Sequence, residues 1–386
     1  MIISKATLKN RLFVALMILP FLEPEIFNFY PKIHIAFFAF EFLNMLLLLI
    51  MFLYKKQFSV YLFLIIIWRI YLMVVTYISS GYLSNAVISR TVMIIGIVLV
   101  IDIGFSRSYV DTLWGIYLIM ITLSIINLIT CIMGGLIQRN GIPYYLFGLR
   151  TRFTDSAIPI MIVSILISWI SKKKLFSFIS YFSLVVVGLQ LINQWVATGI
   201  FVIVALVAFI LIGKNYNFRY PAITSTLLSF FFLVSVVFFR IQNYFSFIIE
   251  NILNKSLDLH GRIDIWNDAI SIISLRKWFG YGEIGDGGFI PVWWSYKLAP
   301  AHDMLLQVLH DGGLISCVIL LIILMYAVNQ TKHSNVIIAN ILVSGMIALI
   351  ISVLTEITYY YSYFYIVPVL CAYSVYIKSS KSGVNE

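Results

Sequence analysis

The sequence predicts an all-α fold: a polytopic integral membrane protein of about twelve transmembrane helices (ten to twelve), with one large extracytoplasmic loop containing short helices. Three observations lead there. The chain is 62% hydrophobic and 11% charged. Its mean hydropathy is +1.00. Apolar runs follow one another along nearly its whole length. A soluble domain carries about 25% charged and about 45–50% apolar residues. The apolar excess here exceeds what one buried core can hold, so lipid must solvate most side chains. Aromatic residues reach 16%, which suits helix ends at headgroup depth.

Apolar runs near the length needed to cross about 30 Å of hydrocarbon fall at 12–28, 34–54, 59–79, 88–105, 113–133, 157–170, 175–192, 196–212, 221–239, 313–328, 336–354 and 358–377. The run at 157–170 is short and the pair over 175–212 nearly fuses, which sets the lower count. Basic residues in short connections give the orientation. With the N-terminus inside, Lys5, Lys9, Arg11, Lys55, Lys56, Arg107, Lys172, Lys173, Lys174, Lys214, Arg219, Lys332, Lys378 and Lys381 are cytoplasmic. Only Lys32, Arg139, Arg150 and Arg152 fall in short outer pieces. Both termini are therefore expected in the cytoplasm. The first run follows Lys5, Lys9 and Arg11 but no small-residue cleavage site closes it, so it reads as an uncleaved helix.

The chain divides into helices one to nine over 1–239, a large outer loop over 240–312, and helices ten to twelve with a tail over 313–386. The loop far exceeds the usual two to eight residues between packed helices. It holds acids, bases, tryptophans and glycines, the composition of a folded segment that carries function.

The net charge is +10. In a soluble protein that raises nucleic acid as a partner. Here the basic clusters lie between apolar runs, and membrane orientation accounts for them. Cys131, Cys317 and Cys371 lie in or beside apolar runs without repeated spacing, which excludes a disulfide framework and a cysteine zinc site. Asp264, Asp268, Glu283 and Asp286 match no metal-binding spacing, and no cofactor is expected.

Three short patterns stand in the loop. The first is His260-Gly261-Arg262 with Trp266 four residues on. Ile263, Trp266, Ile270 and Ile273 continue at helical spacing, predicting an amphipathic helix over 262–275 that is able to lie on the membrane surface. The second is Phe279-Gly280-Tyr281-Gly282, a turn that permits close backbone approach. The third is Pro300-Ala301-His302-Asp303, with a helix expected to start just behind Pro300 and Gly312-Gly313 ending the segment. A second outer piece carries Arg150, Arg152 and Asp155.

This arrangement resembles the O-antigen polymerase/O-antigen ligase group of bacterial surface-polysaccharide membrane proteins. Members carry Arg-x-x-x-Trp, Gly-Tyr-Gly and Ala-His-Asn elements in one late outer loop. Here Arg262/Trp266, Gly280-Tyr281-Gly282 and Ala301-His302-Asp303 correspond, with Asp303 where Asn is commoner. The resemblance is specific over about 255–315 and rests on topology elsewhere.

The resemblance implies a glycosyltransferase-type enzyme of the bacterial cytoplasmic (inner) membrane. It implies polymerisation of polyprenyl-diphosphate-linked oligosaccharide repeat units (undecaprenyl diphosphate being the carrier) for lipopolysaccharide or capsule biosynthesis. Membrane lipid surrounds it, and a chain-length regulator and a flippase are candidate partners. The residue types suit the chemistry. Breaking a C1–O–diphosphate bond builds negative charge that arginines hold bidentately; Arg262, Arg150 and Arg152 are the candidates. The attacking sugar hydroxyl needs a proton acceptor; His302 is the candidate, with Asp303 or Asp155 in reserve. Trp266, Tyr281 and Asp155 are candidate lining residues.

Each has a plainer reading. Arg262 can snorkel to headgroups. Trp266 can be a packing anchor, the glycines mere turn residues, and His302 a cap; Arg150 and Arg152 can be loop charges. His260 and His310 read as structural. Arg69 and Arg90 lie near outer helix ends, to join a diphosphate site or to snorkel; Glu41 and Asp102 sit inside apolar runs and should face the bundle interior. Glu23 and Glu25, at the outer end of the first helix, either contact sugar or balance the arginines. Two other functions compete. A ligase would move finished polymer to another acceptor. A flippase or transporter has similar helix numbers but short loops and detectable halves, and the sequence shows neither.

Overall fold

A computed structural model of the chain describes residues 5–55, 59–139, 141–171, 174–213, 215–247, 262–285, 287–292, 295–354 and 356–377. His260, Gly261 and Asp286 lie outside the described residues.

The protein is mostly helical, in the order α1 (Lys5–Ile18), α2 (Pro31–Lys55), α3 (Val60–Ser80), α4 (Asn85–Arg107), α5 (Tyr109–Ile132), hairpin β1–β2 (Ile137–Arg139, Ile142–Tyr144), α6 (Phe153–Ser171), α7 (Lys174–Asn193), α8 (Ala197–Ile212), α9 (Ala222–Phe239), α10 (Arg262–Leu275), hairpin β3–β4 (Ile290–Val292, Ser295–Ala299), α11 (Met304–Gln330), α12 (Val336–Ser352) and α13 (Ser362–Ala372). Seven helical stretches among the described residues are long and apolar enough to cross a membrane: Pro31–Tyr54, Val60–Ser80, Asn85–Arg107, Tyr109–Ile132, Arg150–Ser171, Ala222–Phe239 and Met304–His333. Four shorter apolar helices, Ser177–Asn193, Ala197–Ile212, Val336–Ser352 and Ser362–Ala372, fall on four of the five remaining expected runs; the first run, 12–28, is not among these spans.

Local chemistry sets the boundaries. Ser59, Ser84, Ser108 and Asn335 each accept a backbone N–H in the first turn of α3, α4, α5 and α12. Pro20 and Pro24 break the first apolar run, which continues past Ile18 as 3₁₀ turns. α12 is buried along almost its whole length and packs on α6, α8, α9 and α13. α2 lies at the periphery, packed on α4, with Leu43, Leu46 and Leu53 exposed as a lipid-facing side requires.

The expected amphipathic helix is present as α10, packed on α11 and β3. Its buried face is Ile265, Trp266, Ala269 and Ile273. α11 begins at Met304, just behind Pro300 and capped by Asp303, and is interrupted at the Gly312-Gly313 pair. The helix is broken at Gly313, whose φ of 65° suits glycine alone. The backbone at Trp278 and Phe279 lies where a side chain at Gly313 would go. Lys277 and Trp278 carbonyls accept the N–H groups of Leu314 and Ile315 at 2.8 and 3.3 Å. The glycines therefore let the loop backbone press into the helix.

Candidate active site

One end of the bundle collects the long loop, the starts of α2, α4 and α6, and the segment ahead of α13. It is the end to which the charge bias assigns the outer face. A cavity of about 530 Å³ opens there, lined among others by Glu23, Glu25, His34, Arg90, Arg152 and Tyr361.

Two arginine groups flank it, and they differ in how well they are satisfied. The first docks the loop. Arg69 meets Glu283 with two parallel bonds, at 2.6 and 3.0 Å, and its Nη2 donates to Thr91 at 2.9 Å. Arg90 reaches the same carboxylate at 3.3 Å, donates to the Gly285 carbonyl at 2.9 Å, and stacks 3.5 Å over the Tyr360 ring. Burial would push the Glu283 carboxyl upward, but the two guanidiniums outweigh it and hold it below its ordinary range. Neither arginine snorkels. Next to this pair the Gly280-Tyr281-Gly282 turn lies on α11: Tyr281 and Gly282 donate their N–H groups to the His310 and Asp311 carbonyls at 2.7 and 2.9 Å. Both glycines have positive φ, 73° and 87°, and backbone crowds where a Cβ would stand. His310 is sandwiched between Tyr281 and Phe289 and its Nδ1 lies 2.7 Å from Asp311. Asp311 also accepts from the Tyr359 and Tyr360 hydroxyls.

The ion pairs of the second group are longer. Arg152 stands 3.7 Å from Glu25, 3.8 Å from Asp155 and 3.6 Å from Glu356, all beyond hydrogen-bond reach. Among the described residues its one close bond is to the Ile357 carbonyl at 3.1 Å, and its guanidinium lies 4.5 Å from the Tyr361 ring centroid. Arg262, at the first turn of α10, lies 3.8 Å from Glu356. Its pKa is pressed down by burial, against which Glu356 and Asp303 pull. Arg152 Nε, Glu25 Oε2 and both Asp155 oxygens are buried with no hydrogen-bond partner among the described residues. Buried polar groups are usually satisfied, and four unsatisfied atoms collect here.

His302 belongs to this second group. It precedes α11 with φ 51°, a left-handed conformation rare outside glycine, and is partly buried. Burial lowers its pKa below 6.5; Glu356 opposes the shift, and Arg262 and Arg152 add to it. Asp303 next to it is the N-cap, its Oδ1 accepting the Leu306 N–H at 2.9 Å while Oδ2 is buried without a partner among the described residues. Burial raises its pKa to about 7, against the backbone N–H groups of Leu306 and Leu305 and the charge of Arg262.

Residues 194–321 match the family model described as O-Antigen ligase (Wzy_C). The chain is similar to the O-antigen polymerase/ligase group. No curated protein matches it. The group's activity is the transfer of lipid-linked polysaccharide in the membrane, and this chain is a multi-pass membrane protein.

Within that O-antigen ligase match lie Arg262, Trp266, Tyr281, His302 and Asp303; Arg69, Arg90, Arg152, Asp155 and Glu356 come from outside it. The structure brings together Arg152, Asp155, Arg262, His302 and Asp303. It places the other three candidates elsewhere. Arg150 is exposed and donates to the Gln194 carbonyl at 3.4 Å. Trp266 is fully buried, its indole N–H on the Ala301 carbonyl at 3.1 Å, where it ties α10 to the segment bearing His302. Tyr281 spends its hydroxyl on the Ile272 carbonyl at 3.0 Å. Sequence reasoning missed Glu356. The carboxylate itself was the available signal, because an acid between two apolar helices is costly without a cation to meet.

Proposed function

We propose that the protein polymerises polyprenyl-diphosphate-linked oligosaccharide repeat units into O-antigen or capsular polysaccharide. The reaction takes place on the outer face of the bacterial cytoplasmic membrane, with both termini of the chain in the cytoplasm. The observation that carries this reading is the Arg152–Glu356–Arg262 cluster beside His302, where two guanidiniums meet next to a partly buried histidine. A diphosphate is the anion that two such forks bind bidentately.

In the reaction a sugar hydroxyl of one unit attacks C1 of another. The C1–O bond to diphosphate breaks and its electron pair leaves with the polyprenyl diphosphate. Arg152 and Arg262 stabilise the charge that grows on the leaving oxygen. His302 takes the hydroxyl proton, for which its lowered pKa keeps it neutral at pH 7. Asp155, buried 3.8 Å from Arg152, helps set the position of that guanidinium. The description of the matched family favours a second reading, in which finished polymer moves to another acceptor. Gel analysis of surface polysaccharide in a deletion strain separates the two. Single repeat units on the final acceptor support the polymerase. Loss of all attached polymer with lipid-linked polymer retained supports the ligase and overturns the polymerase.

A further inference from the structure

The cavity holds more than cations. Glu23, Asn28, His34, Asn85 and Ser89 also line it. Glu23 is largely buried and pairs with the half-exposed His34, Oε1 to Nδ1, at 2.9 Å. Ser89 donates its hydroxyl proton to Glu41 at 2.9 Å. Bonded to Glu41 in this way, Ser89 keeps a lone pair to turn toward the cavity. Glu41 is fully buried in α2, and its second oxygen has no hydrogen-bond partner among the described residues. A buried carboxylate in an apolar helix is costly, and such residues mark substrate sites. Glu23 repels a diphosphate. Carboxylate, hydroxyl and amide oxygens suit the opposite partner, a neutral group rich in O–H donors.

We propose that Glu23, His34 and Ser89 form a subsite for a sugar ring of the lipid-linked substrate, recognising its hydroxyls while the arginines hold the diphosphate. This rests on the proposed function, and it adds which side chains read the sugar. The cavity is of the size that ordinary small-molecule sites have, about 300–1,000 Å³, and Glu41 fixes the rotamer of Ser89 from behind.

The test compares two probes on the purified full chain. One is sugar-free polyprenyl diphosphate; the other is the sugar-bearing polyprenyl diphosphate that accumulates in the deletion strain. The wild type should bind the sugar-bearing probe more tightly. Glu23→Gln should lose about tenfold of that preference, the weight of a hydrogen bond to a charged group, and keep its affinity for the bare lipid. His34→Ala, a change at a half-exposed side chain, should lose part of the preference without risk to folding. Equal binding of both probes by the wild type, or an unchanged preference in both variants, would overturn the subsite. So would a parallel loss for both probes in His34→Ala. Absence of polymerisation by the wild type would instead remove the polymerase reading and leave the binding preference standing.

Discussion

The Arg262 guanidinium lies 3.8 Å from the Glu356 carboxylate, joining the start of the loop helix to the segment ahead of the last helix. Glu356 has Arg152 at 3.6 Å on its other oxygen. The carboxylate thus stands between the two guanidiniums that are proposed to hold the diphosphate. Arg262→Lys retains the charge but loses the planar fork. Chain extension should fall by at least tenfold in that variant at unchanged membrane abundance. Wild-type chain lengths on a polysaccharide gel would leave Arg262 a snorkelling role only.

Glu283→Ala should act on the fold. It strands two buried guanidiniums, Arg69 and Arg90, that share one carboxylate. Removing one partner of a buried pair costs about 3–5 kcal/mol. A lower unfolding midpoint in detergent and reduced membrane abundance are expected. Glu283→Gln should be milder, since it retains a hydrogen-bond acceptor. Equal stability of Glu283→Ala and wild type would show that the loop does not depend on this anchor.

Helix positions were legible in the sequence because lipid leaves apolar runs few alternatives. The Gly-Tyr-Gly turn was legible for a similar reason: only glycine accepts backbone crowding at positive φ, as Gly280 and Gly282 do against α11 and α3. That Gly313 breaks α11 by admitting the Trp278 backbone was not legible, because that contact comes from a distant part of the loop. Arg262, His302 and Asp303 could be proposed together because they sit in one loop. Glu25 was read only as a residue that contacts sugar or balances the arginines, and Glu356 not at all, because their meeting with Arg152 depends on how the helices pack, which spacing along the chain does not carry.

The orientation has its own check. Reporter fusions at Lys255 and Ser379 should read outside and inside respectively, given the bias of basic residues. Alkaline phosphatase activity at Ser379, or its absence at Lys255, would reverse the assignment and put the Arg152 cluster on the cytoplasmic face.

Asp303→Asn should make the protein more stable above neutral pH. The folded-state pKa of Asp303 is raised from 3.8 to about 7. Between those values the folded state holds a proton that the unfolded chain has released, so stability falls as pH rises through the window. Above pH 7 the loss is complete and constant. Asn caps a helix about as well as Asp and has nothing to ionise. The unfolding midpoint of Asp303→Asn should exceed the wild type's by a few degrees at pH 8 and by much less at pH 4. A gap independent of pH would mean that Asp303 does not titrate in this range.

His302→Asn separates a proton acceptor from a structural residue. Asn tolerates the left-handed backbone that His302 adopts, at φ 51°, better than most residues. The fold should therefore survive, and membrane abundance should match the wild type. Asn cannot accept the hydroxyl proton, and general base catalysis is worth about 10²- to 10⁴-fold in rate. Polymerisation should fall by that order. The wild type's own pH profile bears on the same point. Burial places the His302 pKa below 6.5, so the neutral form persists as pH drops from 8 to 6.5. The rate should stay level over that interval and decline only below it, as His302 takes up a proton before the substrate can supply one. The residual rate of His302→Asn should lack that decline. Wild-type polymer ladders from His302→Asn at matched protein levels would exclude the histidine as base and turn attention to the unpartnered oxygens of Asp303 and Asp155.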